Sequence, residues 1–287
     1  NDTQKWEAKP LAKIAASNIT STEITVNGLT QGLYKDGTVI PAGTTIQKII
    51  ENMLLQINPP TYISPIFNLS GDGLFSVEAG TKLNPILVPN FVQNDAGTVT
   101  NYTLKKNGTN IVSSPGVSQH TDSQFTLGDN NITYNATVSF LDGIIKKDNT
   151  NAFNTLGRIL GSTKTSNSVI YSGKRNVFFG ADLESNIKVS TSSEVRELTG
   201  KVLGGTTGTS FNIEIPVGTK KITIAYPATI RDISTIKYIE ASNMEVSDTF
   251  NLSLMNVEGA DGFTSIPYKV WTYIPAAPFS THVNYNV

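Results

Sequence analysis

Thr98-Val-Thr-Asn-Tyr-Thr-Leu-Lys-Lys-Asn-Gly-Thr-Asn-Ile-Val112 decides the fold class of this chain. Two runs of strand-forming residues flank Asn107-Gly108, a pair that readily takes the positive φ angles of a type I′ turn. A hairpin is therefore expected at 98–112. Downstream, Thr133-Tyr-Asn-Ala-Thr-Val-Ser-Phe140 alternates and puts Tyr134, Ala136, Val138 and Phe140 on one face. From residue 59 to 149 such short runs recur between turn signals every 8–12 residues or so, which is the pattern of a sandwich. An Ig-like β-sandwich is the expectation for 59–149. A second β block, again sandwich-like, is expected for 176–287, and the Asn/Thr/Ser/Gly-rich residues 150–175 are read as a connector. In the second block a strand is expected over 195–203, and Gly204-Gly205-Thr-Thr-Gly208 as a hairpin loop after it.

One helix stands out against this background, in Ile40-Pro-Ala-Gly-Thr-Thr-Ile-Gln-Lys-Ile-Ile-Glu-Asn-Met-Leu-Leu-Gln-Ile-Asn-Pro-Pro60. Ile46, Ile49, Ile50, Met53, Leu54 and Ile57 share one face at helical spacing. Thr44 and Gln47 fit a capping box, and Asn58-Pro59-Pro60 supplies the stop. A helix of about 12 residues is marginal alone in water, so the face must dock. Either it packs on the nearest sheet, or it joins an attachment arm to the β body. Residues 1–58 are thus expected to form an N-terminal module of arm, small hairpin and amphipathic helix, serving attachment or oligomerisation. Trp6 and Ile14 are the anchors within the arm.

Composition narrows the chemistry. Of the 287 residues, 38% are hydrophobic and 16% charged, below the typical charged share of about 25%. Ser, Thr and Asn supply the missing polarity, which suits an exposed β protein. The net charge is -1, without a basic block, so no nucleic-acid partner is expected. No apolar run approaches the roughly 20 residues that span a bilayer, and no membrane partner is expected. Cysteine is absent and histidine occurs twice, which rules out disulfides, thiolate nucleophiles and any multi-histidine metal site within one chain. No cofactor and no metal are expected.

Catalytic patterns are thin. Glycan cleavage needs two carboxyl groups at a defined separation; the candidates are Glu184 with Glu194 and Glu258 with Asp261. Most acids sit in turns, where the carboxylate bonds to its own backbone. None of the Asp/Gly loops has the alternating ligand run of a calcium loop. A P-loop and a serine triad both lack their residues. The chain is read as a non-enzyme. Aromatic residues concentrate late, and alternation over 268–274 sets Trp271 and Tyr273 on one face. That pair either stacks on a sugar or a partner, or belongs to a core or a subunit contact.

Four segments together carry a resemblance. They are Gly37-Thr-Val-Ile-Pro-Ala-Gly-Thr-Thr-Ile-Gln-Lys-Ile-Ile-Glu-Asn-Met-Leu54; Val77-Glu-Ala-Gly-Thr-Lys-Leu-Asn-Pro85 with Asn94-Asp-Ala-Gly97; Lys174-Arg-Asn-Val-Phe-Phe-Gly180 with Val195-Arg-Glu-Leu198; and Ile266-Pro-Tyr-Lys-Val-Trp-Thr-Tyr273 through Tyr285-Asn-Val287. From Ile24 to Val287 the chain resembles virion structural proteins of tailed phages, notably the fibre-like proteins of crAss-like and other gut-bacterial phages. The resemblance implies a non-enzymatic, homotrimeric fibre, head-fibre or tail-associated protein on the particle exterior. Its partners would be capsid, neck or tail proteins, and a glycan or protein of the host surface. Two other functions fit a stacked β chain: a bacterial surface adhesin and a tailspike-type glycan depolymerase.

Overall fold

The computed structural model describes residue 20 and residues 22–28, 32–204, 210–281 and 283–287. Trp6, Ile14 and most of the expected arm lie outside them. The protein is mainly β, with the helices Ile46–Leu54 and Ser192–Arg196 among the described residues. It divides into two compact units. One gathers residues 1–65, 93–98 and 140–162, and the other holds 66–92, 99–139 and 163–287.

In the first unit, Ile24–Thr25 pairs with Val39–Ile40. The small hairpin read over 32–40 is therefore replaced by a pairing that reaches back to residue 24. Asp36-Gly37 still turns the chain, and the Asp36 carboxylate accepts from the Gly28 N–H at 2.7 Å. The helix begins one residue later than expected. Thr45 is its N-cap, its hydroxyl accepting from Lys48 N–H at 3.1 Å, while the Thr44 hydroxyl donates to the Pro41 carbonyl. The expected Thr44–Gln47 box does not form, because Gln47 donates instead to Glu51 one turn on. Leu55 is already extended, so the helix stops before the prolines and Ile57 lies beyond it.

The second unit contains both β bodies. In the first of them, Ser76–Glu78, Val169–Lys174, Ile132–Phe140, Val99–Lys106 and Thr109–Ser114 lie side by side, with Ser162–Thr165 also on Ile132–Phe140. A three-stranded sheet is ordered Ile66–Gly71, Ile86–Val92, His120–Thr121. Phe67, Leu69 and Leu87 from this sheet meet Leu104, Tyr134, Ala136, Val138, Val169 and Tyr171 from the larger one in a single core. The alternation read at 133–140 is the reason: Tyr134, Ala136 and Val138 point into that core and are fully buried, while Phe140, also buried, lies outside it. Asn107 and Gly108 both take positive φ, 49° and 82°, as a type I′ turn requires. The expected connector 150–175 is divided, since 163–175 supplies strands to this body and 150–162 groups with the first unit.

The second body is built on an antiparallel sheet ordered Gly200–Leu203, Asn176–Asp182, Lys221–Pro227, Ser265–Tyr273, Asn251–Glu258. Every residue of Lys221–Pro227 is buried. One face packs on a four-stranded sheet through Val177, Ile213, Ile215, Ile224, Val283 and Tyr285. The other holds a second cluster, where Val195 joins Phe178, Val257, Tyr268 and Val270. Val195 sits on the helix Ser192–Arg196, closed by a reciprocal Thr191–Glu194 capping box. The expected strand over 195–203 is thus a helix followed by the shorter strand Gly200–Leu203. Gly200–Leu203 and Asn212–Ile215 belong to different sheets, so no hairpin connects them; residues 205–209 are outside the described ones.

The two bodies of this unit meet backbone against backbone at Ala79-Gly80. Ala260 N–H donates to the Ala79 carbonyl at 2.8 Å, and Gly80 N–H to the Leu127 carbonyl at 2.7 Å. Gly80 has φ +97°, and a Cβ there would stand 2.5 Å from the Asp261 nitrogen. Arg175, 7% exposed, locks the joint. Its Nε and Nη2 donate to the Asp129 carboxylate at 2.6 and 2.8 Å, and Nη1 donates to the Thr264 carbonyl at 2.9 Å. Arg196 adds a second clasp, donating to Glu78 at 2.5 Å and to the Glu258 carbonyl at 2.8 Å.

Two outcomes are expected. Gly80→Ala combines a disfavoured backbone conformation with a clash against main chain, and should cost about 3 kcal/mol or more in chemical denaturation; Gly108→Ala, in open space at a similar φ, should cost about 1 kcal/mol. The second concerns Asp122, 7% exposed. Burial pushes its pKa up, but the hydrogen bonds from Lys106 and Tyr134, at 2.7 and 2.5 Å, outweigh that and hold it below 3.8. A depressed carboxylate stabilises the fold fully above its unfolded pKa and loses that contribution as pH falls through the folded value. Asp122→Asn should be less stable than the native chain at pH 7, with the difference shrinking below pH 3.8 in melts across an acid series.

Candidate functional site

The first unit leaves its apolar side chains in the open. Along the helix, Ile46, Ile50 and Leu54 are exposed, Leu54 by 74%, while Ile49 and Met53 are half-buried, as is Ile57 beyond it. No helix residue is buried. Among the described residues, the segment at 33–34 holds the helix. Leu33 N–H donates to the Asn52 carbonyl at 2.9 Å, and the Asn52 side chain donates to the Tyr34 hydroxyl at 3.1 Å.

The same character continues in the unit's other segments. Leu141, Ile144, Phe153, Leu156 and Leu160 are all more than half exposed. A polar frame holds this region. Lys146 donates to Asp95 at 2.7 Å, and Tyr62 bridges the Lys146 N–H and the Asn154 carbonyl at 2.8 Å each. Asn149 clasps the chain leaving the helix, donating to the Gln56 carbonyl and accepting from Asn58 N–H. The lysine's hydrogen bond and the Ile63 N–H keep the Asp95 carboxyl below its ordinary range. Among the described residues of this unit, the buried apolar side chains are Tyr34, Ile40, Pro65, Ala96 and Phe140, and none belongs to the three core clusters. Twelve large apolar side chains remain exposed in it.

The remaining candidates from the sequence fall elsewhere. Trp271 and Tyr273 do share a face of their strand, but that face is covered. Both are half-buried against the first core cluster of the second body. The indole N–H of Trp271 donates to the Tyr226 hydroxyl at 3.0 Å, and the Tyr273 ring lies 5.5 Å from that of Phe250. The reason is that this sheet packs on both sides, so alternation distinguishes two cores rather than a core from a surface.

Of the four acidic candidates, Glu194 and Asp261 are committed to local structure. Glu194 accepts from Ser190 and Thr191 N–H groups at the start of its helix, and those bonds lower its pKa. Asp261 accepts from Thr264 and Phe263 and is held at about 2. A general acid for glycan cleavage needs the opposite shift. Among the described residues, no three or more His, Asp or Glu side chains group to hold a metal ion, and no helix is long and apolar enough to cross a membrane. Of the exposed apolar surface, the helical period reveals Ile46, Ile50 and Leu54. Leu141 and Ile144 carry no period, and their only signal is large aliphatic residues in a turn-rich stretch.

In comparisons with known proteins, no family model, no curated protein and no solved structure matches this chain.

Trp271→Ala should remove ring packing and the Tyr226 hydrogen bond, lowering stability by about 3 kcal/mol in chemical denaturation. A variant that unfolds like the native chain would place Trp271 outside the core.

Proposed function

We propose that this chain is a non-enzymatic structural protein of a bacteriophage virion, a fibre or decoration protein on the particle exterior. In this reading the first unit is the assembly surface, through which three copies associate and join capsid, neck or tail proteins. The β bodies of the second unit face outward toward the host, and the body around 66–139 is an Ig-like sandwich. The resemblance over Ile24 to Val287 supplies the class of protein. The observation that carries the assembly role is the first unit's uncovered apolar surface. Covering twelve half-exposed aliphatic and aromatic side chains contributes on the order of 10 kcal/mol, before the entropy of association is subtracted. A surface of that kind on a monomer in water favours association, and symmetric closure prevents open-ended growth. The low charge and the engaged carboxylates support a binding protein over a depolymerase.

Mass measurement in native buffer should return a trimer. Replacing Ile50 and Leu54 together with Asp should give a monomer whose second unit melts as before and which no longer enters particles. A native chain that stays monomeric at micromolar concentration, or a double variant that still assembles onto particles, overturns the reading.

A further inference from the structure

Beside the Ala79-Gly80 joint the second unit has a cleft of about 520 Å³, lined by Lys82, Thr126, Arg175, Asp261, Phe263 and Thr264. Phe263 stands out among these. It is 88% exposed, at a position where burying a phenylalanine would gain roughly 2 kcal/mol. Its loop is nevertheless fixed. The Asp261 carboxylate accepts from the N–H groups of Phe263 and Thr264 at 3.1 and 3.0 Å and from the Thr264 hydroxyl at 2.6 Å. Gly259 N–H donates to the Thr264 carbonyl at 2.9 Å, and Arg175 donates to that same carbonyl. A bare aromatic ring is thus held out on a braced turn at the mouth of the cleft.

The other lining groups sort by what they have left to offer. Arg175 is already engaged by Asp129 and Thr264. The Lys82 ammonium has no hydrogen-bond or ion-pair partner among the described residues, and the residue is exposed. Its neighbour across the strand pair is Thr126, which adds a hydroxyl. Gly80 and Gly128 put main chain, without side chains, on the cleft wall. The volume falls in the range of small-ligand sites, roughly 300–1,000 Å³. An exposed ring beside hydroxyls and one free cation matches a ligand with a C–H face, a hydroxyl rim and an anionic group.

We propose that this cleft binds an acidic pyranose, a uronate-type residue of a surface polysaccharide, with its C–H face on Phe263 and its carboxylate on Lys82. Thr126 then receives a ring hydroxyl. The assignment rests on the reading of the second unit as the host-facing body, but its test needs only the purified chain, so its failure leaves the assembly reading standing.

Calorimetric titration of the full chain with oligosaccharides of galacturonate, mannuronate and glucuronate, and with a neutral galactose oligosaccharide, tests it. At least one acidic oligosaccharide should bind saturably, and more tightly than the neutral one. Phe263→Ala should weaken that binding by about tenfold or more with an unchanged melting temperature, and Lys82→Gln should remove the preference for the acidic sugar. Absence of saturable binding by all three acidic oligosaccharides overturns the proposal. So does equal affinity for the neutral one, or a Phe263→Ala variant that binds like the native chain.

Discussion

The second unit depends on a place where two main chains touch. Ala79-Gly80 and residues 259–261 approach so closely that only glycine fits at 80, and Gly259 fails the same test, since a Cβ there would lie 2.6 Å from the Ala79 carbonyl. Backbone groups buried at such a contact must satisfy one another, and the bond from Ala260 N–H to the Ala79 carbonyl does so. Arg175 makes the contact durable. Its planar fork reaches the Asp129 carboxylate with two donors while a third holds the Thr264 carbonyl. Lysine could not do this, having a single point charge instead of a fork. Glu78 and Arg196 flank the joint with a second ion pair. A hinge is not what such a joint provides; it is a weld between two β bodies.

The weld follows from how the second body is covered. Lys221–Pro227 runs through the middle of a sheet with clusters on both sides, and its strand neighbours divide their side chains between two cores. Tyr268 and Val270 go one way, Trp271 and Tyr273 the other. The short helix Ser192–Arg196 covers one face by inserting Val195, and its Arg196 reaches Glu78 of the first body. The same five residues therefore help to cover this face and add a clasp between the two bodies.

The first unit is built on the opposite principle. Polar side chains do much of the work of holding it together, through Asp95, Lys146, Tyr62 and Asn149, while twelve large apolar ones among the described residues stay exposed. A frame of hydrogen bonds is worth far less in water than a dry core, because each bond replaces one with solvent. Such a frame can persist in a chain whose apolar surface is covered by association. In our proposal, covered assembly surface and welded receptor body divide the two tasks of an exterior virion protein between the two units.

The sequence by itself determined what local rules govern. Asn107-Gly108 forces a type I′ hairpin, the even-numbered residues of 134–140 face a core, and Thr45 onward makes a helix with Ile46, Ile50 and Leu54 in line. The Thr191-x-x-Glu194 capping box was also written there. A five-residue helix nevertheless gives too few turns for a period to register. Tertiary structure decided the rest. Trp271 and Leu54 each sit in an amphipathic pattern of their own element. One is half-buried and the other bare, because burial depends on which sheet or unit lies opposite, and no local period encodes that. Strand order is equally non-local: Ser76–Glu78 pairs parallel with Val169–Lys174 across nearly a hundred residues. Arg175, one of two adjacent basic residues, lies between strands, and Phe263 is a single aromatic in a turn. Their roles arise where folding sets Asp129, Thr264 and Gly80 around them, a meeting of distant segments that spacing along the chain does not express.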